Sequence, residues 1–147
     1  MKKPRLGKMP RWQRWFTVLA FIICSVSGIA FLLGHEYHIH RSILGAHNVL
    51  VLHGVASALA LIAFGTVMPF HIKAGFQAGR NVMSGVIQLA LLIALVVSAL
   101  LLYYGPAEWR EGSKLTHWVL GLVFFGIFVS HIMRRVFKAT SARLINN

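Results

Sequence analysis

The chain has 147 residues, 57% of them hydrophobic and only 12% charged, with a formal net charge of +12. Soluble domains average about 25% charged residues, so this composition excludes an ordinary soluble domain and points to lipid. The single cysteine, Cys24, excludes an internal disulfide.

Four apolar runs, at 15–33, 48–70, 82–104 and 115–137, are each long enough to cross a bilayer at about 20 residues per span. In a four-span layout every lysine and arginine except Arg41, Arg110 and Lys114 falls on one side. The three acids, Glu36, Glu108 and Glu111, fall on the other. The positive-inside rule then predicts both termini in the cytoplasm. The basic surplus is a topology signal, which argues against a nucleic-acid partner and for contact with membrane lipid.

Residues 1–14 are read as a basic cytoplasmic arm, 15–137 as the membrane domain and 138–147 as a cytoplasmic tail. Trp12 and Trp15 are expected at the headgroup level as aromatic anchors. The first span carries small residues at Ser25, Ser27 and Gly28, read as points of close helix approach. SVS before Gly28 resembles a signal-peptide cleavage site, yet the apolar run continues to Leu33, so the span is read as retained.

The loop at 34–47 reads GHEYHIHRSILGAH. His35, His38, His40 and His47, with Glu36, form a candidate secondary metal site; the plain alternative is a solvated interfacial loop. HEYH lacks the i, i+4 histidine spacing of the zinc-protease motif.

The second span is expected to end near a kink at Pro69. On its His53 face lie Ser57, Ala60 and Phe64 at i+4, i+7 and i+11. The small residues leave room for a flat cofactor, with Phe64 as filler. His47 lies about 120° off that face. A short loop at 71–81 carries Lys73 and Arg80, either topology charges or partners for a cofactor's propionates or a quinone. In the third span Ser84, Gly85, Gln88 and Ser98 interrupt an apolar run. The Gln88 amide, about a turn and a half inside the membrane, needs a partner: another helix, or a quinone. The loop at 105–114 holds Pro106 and Trp109. In the fourth span His117 is followed by Gly121, Phe124, Phe128 and His131, so small residue, aromatic filler and histidine recur.

The histidines give the pattern its meaning. His53 and His71 are five turns apart, in line and about 27 Å apart along a helix; His117 and His131 are about 40° and about 21 Å apart. Tilt and the Pro69 bend are expected to absorb part of this mismatch. A histidine inside a bilayer is costly unless paired or ligated. Two aligned histidines on each of two helices suit two stacked haems, each gripped by an imidazole from both sides. Zinc or copper would want three or four ligands at one point. With no CxxCH, the haems would be non-covalent. A faint internal repeat, SVSGIAFLLG at 25–34 against VVSALLLYYG at 96–105, predicts two parallel-related helical hairpins. His53 and His117 would then share the external level, and His71 and His131 the cytoplasmic one.

The fourth span, TH117WVLG…SH131I, and the second, LH53G…H71I, resemble the four-helix di-haem cytochromes b. These comprise the cytochrome b561 group and the b-type subunits of quinone-linked oxidoreductases. The resemblance covers roughly 15–137. It implies an all-α integral membrane four-helix bundle with two bis-histidine b haems. It also implies transmembrane electron transfer between quinone or quinol and an external redox protein, a cytochrome c or an oxidoreductase subunit. The first span departs from the family pattern: it opens RWQRWF, without a ligand histidine, and His71 stands in that role. With no activated nucleophile, paired carboxylates or P-loop in view, an electron-transfer subunit of a larger complex is favoured over a stand-alone quinone oxidoreductase. The alternatives are a membrane metal-handling protein built on the loop at 35–47, and a cofactor-free anchor subunit.

Overall fold

In a computed structural model the described residues are 10–36, 45–78 and 82–145, with side chains described at 10–34, 45, 47–68 and 82–133. They form four long helices: α1 (Arg11–Glu36), α2 (Ala46–Ala78), α3 (Val82–Tyr104) and α4 (Arg110–Ile145). A 3₁₀ turn, Ala107–Trp109, precedes α4. There is no strand among the described residues. All four helices are long and apolar enough to cross a membrane, which makes this an all-α, multi-pass membrane protein in contact with lipid. Leu19, Ile62, Leu100 and Leu115 are each more than half exposed, an apolar surface that lipid covers and water would not tolerate.

The helices outrun the apolar segments. Helix α1 begins at Arg11 and not at residue 15, where the Pro10 carbonyl accepts the Arg14 N–H at 3.2 Å. Helix α2 begins at Ala46, where the Gly45 carbonyl accepts the Val49 N–H at 3.2 Å. It also runs straight through Pro69 to Ala78, so most of the expected loop at 71–81 is helical instead. Proline removes one backbone donor, but neighbouring helices can re-satisfy the ladder within a membrane. The carbonyl that Pro69 leaves without a backbone donor is Gly65's; the next one along, Thr66's, accepts from the Gln13 amide of α1 at 2.8 Å. Helix α3 stops at Tyr104, with the Gly105 N–H still bonded to the Leu101 carbonyl at 2.9 Å. A Cβ at Gly105 would run into that same carbonyl. Much of the expected loop at 105–114 is thus a 3₁₀ turn and the first turn of α4.

The chain divides into two compact units, α1 with α2 and α3 with α4. In the first, the antiparallel helices bury Gln13, Ala20, Phe21 and Ser27 of α1 against Val49, Ala56, Ala60, Ala63 and Val67 of α2. Steps of three and four along α2 make one continuous face. Its small side chains let the two backbones approach closely. In the second unit the buried residues are Leu92 and Ser98 of α3 and Ser113, Phe124 and Phe128 of α4.

Candidate functional site

His53 lies on the face of α2 that packs against α1. Its Nδ1 is 2.9 Å from the Cys24 carbonyl and 3.3 Å from Ser27 Oγ. A carbonyl only accepts, so Nδ1 carries the proton and, in the neutral ring, Nε2 holds the lone pair. Ser27 agrees: its hydroxyl proton is directed to the carbonyls of Ile23 at 2.7 Å and Cys24 at 3.0 Å, leaving its oxygen to accept from His53. Gly28 completes the seat. A Cβ there would stand 2.9 Å from His53 Cε1 and 3.2 Å from Nδ1, so the ring occupies the space that any larger residue would take.

His117 is held in the same way within the second unit. Its Nδ1 is 2.9 Å from Ser98 Oγ. Ser98 Oγ also lies 2.9 Å from the Leu95 carbonyl; with the hydroxyl proton directed there, Oγ accepts from an Nδ1–H of His117. Each hairpin thus anchors one half-buried histidine by Nδ1 to the preceding helix.

The other expected site residues fall around this plan. His131 is half-buried on α4. Between His117 and His131, Phe124 and Phe128 are buried and stacked, with ring centroids 6.0 Å apart and planes 10° apart. Gly121 leaves a Cβ-sized space bounded by Leu95 Cδ2 at 3.9 Å. Ser57 bonds its own helix at the Gly54 carbonyl, 2.8 Å away, and Phe64 is half-buried. The buried face of α2 runs through Ala56 and Ala60, with Ser57 to one side. His47 is exposed in the first turn of α2. His71 and Lys73 belong to the α2 backbone, and His35 and Glu36 to that of α1; their side chains lie outside the described residues. His38, His40 and Arg80 lie outside them altogether. Among the described residues no three His, Cys, Asp or Glu side chains gather as a metal site.

Gln88 Nε2 is buried with no hydrogen-bond partner among the described residues, so the interhelical bond expected of it is not formed there. At the other end of α3, an opening of about 340 Å³ is lined by Ser98, Leu101, Trp109, Gly112, Ser113 and Thr116. Hydroxyls and an indole face it and no charged side chain does, a lining suited to a neutral molecule.

Sequence reasoning read Ser27, Gly28 and Ser98 as packing or as interruptions, and passed over Gln13. The signal that marks the serines is the internal repeat, in which Ser27 and Ser98 hold the same position. The fold and these two seats define a four-span α-helical membrane protein with one seated histidine in each hairpin. Comparison with protein-family models, curated proteins and solved structures finds no match for this chain.

Proposed function

We propose that this protein is a di-haem b electron carrier of a bacterial inner membrane, with both termini cytoplasmic. It passes electrons between quinone or quinol and a redox protein on the external side, as a subunit of a larger complex. The observation that carries this reading is the seating of two histidines: each turns Nδ1 to the preceding helix, His53 to the Cys24 carbonyl and His117 to Ser98 Oγ. With the proton on Nδ1, the lone pair is on Nε2, the nitrogen with which an axial ligand donates to haem iron. The donor set fits: single neutral imidazoles on separate helices suit axial ligation of a planar macrocycle, whereas a zinc or copper site would need a convergent cluster.

Bound haem supplies one-electron chemistry. The chain's own residues supply orientation, through Ser27, Gly28 and Ser98, and apolar filling, through Phe124 and Phe128. The sequence repeat pairs His53 with His117 and His71 with His131. The charge distribution supports the orientation. For the quinone, Gln88 offers an unpartnered buried amide, and the opening beside Ser98 offers uncharged walls.

The test is a reduced-minus-oxidised absorption spectrum of the purified chain, with haem counted per polypeptide. Two b haems are expected. His53→Ala and His117→Ala should each abolish one haem's signature and leave the other. A colourless chain ends the proposal, and a His71→Ala variant that keeps both haems removes His71 from the ligand set.

A further inference from the structure

The repeat read in the sequence has a chemical counterpart in the structure. Ser27 in SVSGIAFLLG and Ser98 in VVSALLLYYG stand at the same place in the two copies. Each turns its Oγ to the Nδ1 of a histidine on the following helix, at 3.3 Å for His53 and 2.9 Å for His117. Each also has a carbonyl one turn back on its own helix within hydrogen-bonding distance of Oγ; with the hydroxyl proton there, Oγ accepts from Nδ1–H. The separations from serine to histidine differ, 26 residues against 19. The same contact therefore forms across connections of unequal length.

We propose that Ser27 and Ser98 are matched positioning residues, one per hairpin, that hold their imidazoles in the Nδ1–H tautomer and tune how strongly Nε2 donates to a bound metal centre. The tuning half rests on the haem reading; the tautomer half does not. Drawing the Nδ1 proton toward an acceptor leaves more electron density on Nε2 and makes the ring a stronger ligand. A stronger donor favours the oxidised iron, so loss of the acceptor raises the midpoint potential. Outer-shell partners of this kind change ligand affinity by about 10–100-fold. Taking about tenfold as the change in the ratio of affinities for oxidised and reduced iron, Ser98→Ala shifts the potential upward by about 59 mV. Ser27→Ala shifts it less, because the Cys24 carbonyl at 2.9 Å still accepts from His53.

Two measurements on the full chain in detergent test this. Nitrogen-15 NMR of the imidazoles, with no cofactor added, is expected to show the Nδ1–H tautomer at His53 and His117, and a mixture at His117 in Ser98→Ala. Redox titration of the haem-loaded chain is expected to show the upward shift in Ser98→Ala and a wild-type value in Ser98→Thr, which restores the hydroxyl. Should Ser98→Ala fail to fold, Ser98→Cys, whose sulfur is a weak acceptor, should give an intermediate shift. An Nε2–H tautomer in the unsubstituted chain overturns the proposal. So does a potential that ignores residue 98. A tautomer that responds to residue 98 in a chain that takes up no haem supports the seats while sinking the cofactor reading, so the two failures are distinguishable.

Discussion

In the first hairpin α1 and α2 meet through Ala20, Ser27, Gly28, Ala56, Ala60 and Ala63, and an imidazole is pressed against the neighbouring backbone itself. In the second, the buried apolar residues are Leu92, Phe124 and Phe128, Leu95 lies beside Gly121, and His117 reaches α3 through a serine side chain. Both arrangements turn the ring's Nδ1 to the preceding helix. They reach it differently because side-chain volume sets how near two helices can come: methyl groups and hydrogens admit a backbone carbonyl as acceptor, whereas leucine and phenylalanine hold the backbones apart. The close hairpin is therefore sensitive to added bulk, and the open one should be tolerant of it.

Adding one methyl group to each hairpin gives the largest contrast. Gly28→Ala places a Cβ 2.9 Å from the His53 ring, and overpacking of this kind costs about 1–3 kcal/mol. Gly121→Ala places one at ordinary contact distance from Leu95 and should cost almost nothing. Thermal unfolding in detergent, followed by circular dichroism, measures both. Equal effects would erase the distinction between the hairpins.

A smaller effect is expected at Gln13, whose amide ties α1 to the Thr66 carbonyl beside Pro69. Interhelical hydrogen bonds in membranes average about 0.6 kcal/mol, so Gln13→Ala should destabilise the first hairpin by about that amount. Hydrogen exchange around Pro69 would locate the loss, and unchanged protection there would show that the bond contributes nothing.

The smallest effect belongs to the second hairpin's surface pair, Lys114 Nζ with Glu111 Oε2 at 2.7 Å. The Glu111 side chain is 79% exposed, and such i, i+3 pairs are worth about 0.2–0.5 kcal/mol. Lys114→Ala also removes the ammonium 5.2 Å above the Trp118 ring. It should lower the melting temperature slightly, and less so in high salt. A large loss would give that end of α4 a role beyond its surface charges.

Hydropathy, charge and histidine spacing were enough to determine the four spans, the all-α class and which residues deserve attention, because lipid imposes one pattern on any backbone that crosses it. Element ends were not legible in this way. Helix α2 continues past Pro69, and α4 starts before its apolar run, since helices extend into the interface on backbone hydrogen bonds that hydropathy does not register. The seats of the histidines were decided by tertiary structure alone. That Ser27 and Ser98 each meet a histidine Nδ1, and that Gly28 makes room for a ring, depends on atoms 19 to 29 residues apart in sequence meeting within hydrogen-bonding distance. No local pattern encodes such a meeting; it follows from how closely the small and large side chains let each pair of helices approach.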